Sequence, residues 1–401
     1  MKPIPIRWVI AALLFFSTVI NYIDRQTLSI VAPILTTELN LTAIEYSNIL
    51  NGFLIAYTLM YLGSGWLVDR WGTRMSLAVF IAWWSASNML HGFARTGLHL
   101  GIFRVMLGLG ESGNFMAAIK VISEWYPAKE RAFVNGLVNA GASVGAIIAP
   151  PIVAWIALGY GWRSAFAATG ALGFIWLAAW LAIFRAPPLS QAVAAQKRES
   201  WLSLLSYRQT WGLLLGRFFS DPVWWFYLFW LPKYLVEKRG FTIVEMGMLA
   251  WMPYLSADIG AISGGLFSGY LIKRGWPILA ARGAGMWPFA MIMPVSIWIA
   301  YTPSRVTALA LICLVTFAHM AWKTNIMTIT NDIYPLRVVG SVSGIVAFGN
   351  GVGGTLFTFL TGIVVQSFSY DLIFIMMGFM HPIAYVLFRA LVRAPIEESV
   401  H

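Results

Sequence analysis

Apolar stretches of about 20 residues, the length that crosses a bilayer as one helix, recur throughout this chain. Twelve can be drawn, over 8–31, 47–67, 75–94, 98–122, 133–156, 164–184, 211–235, 246–271, 278–301, 306–330, 341–366 and 370–392. Of the 401 residues, 59% are hydrophobic and 11% charged, against roughly 25% charged in a soluble domain. A core in water cannot absorb so much apolar surface. The pattern therefore predicts an all-α membrane protein of twelve transmembrane helices.

The formal net charge is +11, which in a soluble chain would suggest a nucleic-acid partner. Here the charge follows the loops. If the first span starts in the cytoplasm, that side collects sixteen Lys and Arg, among them Arg70, Arg74, Lys197, Arg198, Arg282 and Arg337. The other side holds six: Arg95, Arg163, Lys233, Lys238, Arg239 and Arg305. The positive-inside rule then places both termini in the cytoplasm, and no nucleic-acid partner is expected. The single cysteine, Cys313, excludes an intramolecular disulfide and a Cys-based metal cluster. The first span lacks a small-residue cleavage site and is too long for a signal segment, so it reads as retained.

The longest polar gap, "RAPPLSQAVAAQKRESWLSLLSYRQT" at 185–210, reads as a cytoplasmic linker between 1–184 and 211–401, with six spans on each side. The halves repeat each other. "GWLVDRWGTR" (65–74) follows span two and "GYLIKRGWP" (269–277) follows span eight. "SEWYPAKERAFVNGLVNAGASVG" (123–145) follows span four and "TNDIYPLRVVGSVSGIVAFGNGVGG" (330–354) follows span ten. The offsets are 204 from Gly65 to Gly269 and 208 from Pro127 to Pro335. Internal repeats of this kind build many secondary transporters, with the substrate held at the midplane between them.

With these motifs the chain resembles the major facilitator superfamily along essentially its whole length. "NYIDRQTLSIVAP", "FRVMLGLGESGNFMAAIK" and "SEWYPAKERA" are similar to its anion:cation symporter branch. "RQTWGLLLGRFFSDPVWWFYLFWLPKYL" (208–235) looks most like the hexuronate members, the glucuronate and galacturonate transporters. The resemblance implies two pseudo-symmetric six-helix bundles that transport by alternating access.

Ionisable groups inside membrane spans are costly and mark functional sites by default. Asp24 and Arg25 are adjacent in span one, so they point about 100° apart and each is expected to find a partner on another span. The resemblance gives Asp24 a part in proton coupling and Arg25 a place in the charge network beside it. Span four carries Arg104, Glu111 and Lys120. Arg104 and Glu111, seven apart, share a face roughly 10 Å apart, and Arg104 is expected to balance Asp24. The match "GESGN" implies proton coupling at Glu111 and a substrate contact at Asn114. Lys120 has two readings, a functional cation or a snorkelling one. Gly108, Gly110 and Gly113 read as close-packing positions. Tyr57, with Tyr61 one turn on, matches a substrate-contacting tyrosine of the branch.

In the second half, Arg217 and Asp221 are i,i+4 and can pair. Pro222 interrupts the helix beside them and beside Trp224, as in the broken helices that line transporter cavities. Asp258 is a further deep carboxylate. His319 and Lys323 share a face of span ten with Asn325 near by, and they form this half's cationic candidate for a carboxylate. Asn350, between glycines in span eleven, reads either as a ligand contact or as packing. Ala142 stands where galactonate-type carriers have a polar residue, which favours another sugar acid. Asp69, Arg70 and Arg74 match the family's cytoplasmic gate signature, with Glu124 and Arg131 in the same network.

The expected function is proton-driven symport of a sugar acid such as glucuronate or galacturonate into a bacterium, across its inner membrane. Arg25, Arg104, Glu111, Arg217, Asp221, Asp258 and Lys323 are expected to face one central cavity. Other organic-anion substrates (galactonate, gluconate, an aromatic acid), sodium in place of protons, and a proton-driven drug exporter stand as alternatives. A monomer is expected. No cofactor or metal is called for: the five histidines are scattered, no phosphate-binding loop or nucleophile–His pair occurs, and an enzyme is not expected.

Overall fold

The computed structural model describes residues 6–126, 128–185, 201–334 and 336–393. Side chains of 62, 69, 123, 128–133, 201–202, 331 and 336–341 lie outside the description. Among the described residues the chain is helical, with turns and no strand. Nine of the helices are long and apolar enough to cross a membrane by length and composition. Expected spans two, three and seven are not among these nine. Spans two and three run together in one helix, α2 (Ala43–Leu90), merged across a kink at Gly72. Span seven is cut into α8 (Arg208–Ser220), α9 (Pro222–Phe229) and α10 (Leu231–Glu237). Pro222 has no N–H to continue the ladder, so α8 stops at Ser220 with Asp221 as its C-cap.

The chain forms two compact units. The first is Met1–Ala192 with Phe229–Trp251; the second is Val193–Leu228 with Met252–His401. Phe229–Trp251 thus packs within the first of these units. The expected linker lies outside the described residues over 186–200; beyond it come a single turn, α7 (Trp201–Leu204), and then α8 at Arg208.

In the first unit α1 (Ile6–Glu38) packs on α5 (Ala128–Tyr160) and α6 (Trp162–Ile183). α2 packs on α3 (Gly97–Glu111), α4 (Gly113–Trp125) and α6. α10 and α11 (Ile243–Leu249) lie against α1 and α5. The Tyr46 hydroxyl donates to the Phe229 carbonyl at 2.8 Å. In the second unit α12 (Met252–Lys273) and α13 (Ile278–Ile292) pack on α15 (Arg305–Ile333). α8 lies against α16 (Leu336–Ser367) and α17 (Tyr370–Leu391), and α14 (Ser296–Tyr301) packs on α17.

The internal repeat is visible in the way each unit is fastened. Gly141 and Gly145 of α5 pack on the Phe15 and Val19 carbonyls of α1, where a Cβ would come within 2.5 Å of each oxygen. Gly349 and Gly353 of α16, each 208 residues later, meet the Leu214 and Phe218 carbonyls of α8. A glycine every fourth residue lets two helix backbones touch. Gly72 and Gly275 hold the left-handed backbone, φ 75° and 87°, at the ends of the two loop repeats. Tyr126 donates to the Arg7 carbonyl at the start of α1. Tyr334, 208 residues on, hydrogen-bonds Thr210 in the first turn of α8 at 2.8 Å.

Apolar and polar surfaces are reversed relative to a soluble protein. Trp155, Ile175, Leu266 and Val386 are each about two-thirds exposed, while Asp24, Arg104 and Glu111 are fully buried. Hydrocarbon solvates the former group and penalises the latter.

Candidate functional site

Each unit carries its own buried polar cluster. In the first, successive positions on α1 send Asp24 and Arg25 to different neighbours, because adjacent helical residues diverge by about 100°. Asp24 Oδ1 accepts from Asn88 Nδ2 of α2 at 2.7 Å, and Asn88 also donates to Thr169 of α6 at 2.8 Å. Arg25 turns toward α3. Its Nε and Nη2 converge on Glu111 Oε2, each at 2.8 Å, and Nη2 also donates to Asn21 at 3.1 Å. Three rings enclose the guanidinium: Tyr57 at 4.7 Å, Tyr22 at 4.8 Å and Phe53 at 5.3 Å from its carbon. Tyr57 hydrogen-bonds Tyr61 at 3.0 Å. Arg25 is therefore held by one carboxylate and an aromatic cage, an arrangement suited to a desolvated guanidinium.

Arg104 and Asp24 make their hydrogen bonds to other groups. Arg104 Nη1 donates to the Arg25 carbonyl at 3.3 Å, and Asp24 finds its donor in Asn88. The reason is rotational: Asp24 faces α2 and α6, whereas Arg104 reaches the α1 backbone one residue on. Several buried polar atoms here have no hydrogen-bond partner among the described residues, including Asp24 Oδ2, Glu111 Oε1, Asn88 Oδ1, Asn21 Nδ2, and Nε and Nη2 of Arg104. Buried polar atoms normally find partners, so their concentration between α1, α2 and α3 sets this cluster apart from ordinary packing. Asn114 instead joins α4 to α1, accepting from Ser17 at 3.0 Å and donating to Thr18 at 3.4 Å. Lys120 donates to the Val68 carbonyl at 3.3 Å.

In the second unit Arg217 and Asp221 pair at 2.7 Å across one helical turn, and Ser220 sits at 3.4 Å from the same carboxylate. Trp224, just past the Pro222 break, stacks on His319 with ring centroids 6.0 Å apart and planes 7° from parallel. Lys323 Nζ lies 5.7 Å from the Trp224 ring. His319 Nδ1 and His381 Nε2 are 3.1 Å apart. Asn325 donates to the Gly264 and Ala321 carbonyls at 3.0 Å each, which commits its amide nitrogen to fastening α15 to α12. Asn350 accepts from the Trp225 indole at 2.9 Å. Asp258 lies on α12, one turn into the helix from Tyr254.

The residues expected to form a gate make these contacts where their side chains are described. Arg70 lies over Trp66 at 5.2 Å, and Arg74 donates to the Leu181 carbonyl at 2.7 Å. Glu124 accepts from Thr73 at 2.8 Å. Asp69 and Arg131 lie in α2 and α5, with side chains outside the described residues. The counterpart of Glu124 in the second unit, 208 residues later, is Asp332, which pairs with Arg282 at 2.8 Å.

Residues 14–358 match the family model described as Major Facilitator Superfamily. The chain belongs to the Major Facilitator Superfamily. It is 31% identical to the hexuronate transporter of Escherichia coli K12, over 92% of this chain and 90% of that one. It is 28% identical to a probable galactarate/D-glucarate transporter of the same organism, over 93% and 92% of the two chains. The fold matches a crystal structure of a bacterial homologue of the human lysosomal transporter Spinster, with TM-score 0.86 at 19% identity and 98% of both chains covered. This superfamily member is thus a multi-pass membrane transporter and not an enzyme.

Sequence reasoning did not single out Asn88 or Tyr22, and it placed His381 only among scattered histidines. Asn88 had a signal, an amide in the apolar run "SASNML". His381 had none, because its partner lies 62 residues away on another helix.

Proposed function

We propose that this carrier imports a sugar acid of the hexuronate class together with protons, across a bacterial inner membrane. The reading includes twelve spans in two six-helix halves, 1–184 and 211–401, joined by the 185–210 linker, with both termini cytoplasmic and a monomeric carrier. The observation that carries it is the Arg25–Glu111 pair, a buried guanidinium whose counter-ion is a carboxylate that can be neutralised. Relatives matched over nine-tenths of the chain, and named for hexuronates and galactarate, support the substrate class.

The mechanism follows from competition for one guanidinium. With Glu111 ionised, Arg25 is neutralised internally. When Glu111 takes a proton, Arg25 loses its counter-ion and the buried cation is stabilised by an incoming carboxylate. Release of the substrate returns Arg25 to Glu111 and expels the proton, so anion and proton move together. Asp24, one residue away on α1 and fully buried, is the second proton acceptor. Lys323 and Trp224 provide a cation and a flat apolar face for the sugar acid in the second unit. Arg217, paired with Asp221, repeats the guanidinium–carboxylate arrangement there.

The test is uptake of labelled glucuronate and galacturonate by purified carrier in liposomes, with and without an imposed pH gradient. Accumulation that requires the inward proton gradient is expected. Accumulation unchanged after the gradient is collapsed would reject proton coupling, and absence of either sugar acid's uptake would reject the substrate class.

A further inference from the structure

Thr96 and Ser304 are the N-caps of α3 and α15, 208 residues apart, and each accepts from the backbone N–H three residues on. Glu124 and Asp332, and Tyr126 and Tyr334, keep that same spacing at the other end. No insertion therefore separates the two helices between these landmarks, and Glu111 corresponds to position 319. That position is His319. The two units thus carry titratable side chains, Glu111 and His319, at one shared register, and both are fully buried.

His319 is not alone. Its Nδ1 lies 3.1 Å from Nε2 of His381 on α17, also fully buried, with ring centroids 5.2 Å apart. At this separation one ring donates N–H and the other accepts. The outer nitrogens, His319 Nε2 and His381 Nδ1, have no partner among the described residues. Whichever ring donates, one outer nitrogen is bare and the other carries a proton. The neutral pair can therefore accept one proton on its bare nitrogen without breaking the shared hydrogen bond, giving an imidazolium–imidazole of charge +1. Aromatic walls shield it: Trp224 stacks on His319, Trp322 meets His381 edge-on at 5.6 Å, and Tyr254 closes on Trp224. The charged groups acting on the pair are Lys323 of α15 and Arg217 and Asp221 at the end of α8. Lys323 lies one helical turn from His319 on α15, so an anion held by Lys323 offsets positive charge beside the pair.

We propose that His319 and His381 form a second proton site, in the C-terminal unit, which fills when a carboxylate is bound at Lys323. The site itself stands on the geometry of the pair; its link to the carboxylate rests on the proposed substrate reading.

The experiment is nitrogen NMR of the full-length carrier labelled with 15N at histidine, which separates neutral tautomers from imidazolium. Spectra are recorded from about pH 5 to pH 8, the range in which histidine ordinarily titrates, with and without glucuronate. His319→Gln and His381→Gln assign the signals; if either variant fails to fold, His91→Gln, His99→Gln and His401→Gln together leave only the pair. Two rings that change together, with each variant altering its partner's signal, are expected. Both rings neutral throughout, or one titrating independently of the other, would overturn the proposal. Glucuronate should increase the protonated fraction at fixed pH. A pair that titrates together but ignores glucuronate and galacturonate upholds the proton site and counts against the substrate reading.

Discussion

Arg25 and Glu111 meet at 2.8 Å between α1 and α3, with the Arg25 side chain 3% exposed and that of Glu111 fully buried. Removing one partner of such a pair leaves the other charged and desolvated, at a cost of about 3–5 kcal/mol. Arg25→Gln alone should therefore lower the melting temperature in detergent. Glu111→Gln should cost less, since Gln still offers an oxygen to the guanidinium. The double variant should recover part of the loss, because neither member of the pair is left charged without the other. Melting curves of the three proteins check this; additive losses would show that the pair is not coupled.

In transport, Glu111→Gln mimics the permanently protonated state. It should still exchange internal for external hexuronate while losing accumulation driven by a pH gradient. Exchange and net uptake, measured on the same liposomes, separate the two effects.

Lys323→Arg keeps the charge beside Trp224, whereas Lys323→Gln removes it. A single charged hydrogen bond to a carboxylate is worth about 1.5–3 kcal/mol. Lys323→Gln should raise the hexuronate KM by roughly ten- to a hundred-fold, with Lys323→Arg close to the parent. Equal KM values for the two variants would remove Lys323 from the substrate site.

The glycine contacts give a stability prediction with an internal control. Gly145→Val places side-chain atoms against the Val19 carbonyl, where a Cβ already comes within 2.5 Å, and should sharply reduce the yield of folded carrier. At Gly136, a Cβ meets nothing within 4 Å, so Gly136→Ala should be neutral or stabilising by up to about 1 kcal/mol. Size-exclusion profiles of the two variants decide.

The α2 N-terminus carries a pH-dependent cap. Thr42 N–H and hydroxyl both donate to Glu45, and Glu45 N–H donates back to Thr42. The backbone N–H of Thr42, then its hydroxyl, hold the exposed Glu45 carboxyl below the ordinary range. A depressed carboxyl contributes fully above its unfolded value and is lost as pH falls through the folded one. The protection of amides in the first turn of α2, relative to their intrinsic exchange rate at each pH, should fall at acid pH in the parent, and Thr42→Ala should show low protection already at neutral pH.

Much of the fold was legible because lipid leaves few alternatives. Apolar length fixes where helices run, and loop charge and repeats suggest two halves. Pro222 announced the break in span seven, and Gly72 and Gly275 sat in visible loop repeats. The segment Phe229–Trp251 was not legible as part of the first unit, since its composition matches any other span. The same holds inside the site. Asp24, Arg25, Glu111 and Lys323 stood out as charges in apolar runs, yet neither the Asn88 donor to Asp24 nor the His381 partner of His319 was legible.

The sequence by itself therefore determined the helical membrane architecture, the internal repeat and the identity of the buried ionic groups, because helix register and hydrophobicity are local properties. Only the tertiary structure decided that Arg25 holds Glu111, that Asn88 holds Asp24 and that His319 meets His381. A helix fixes the direction in which each side chain points, but which neighbour waits there depends on how the helices pack.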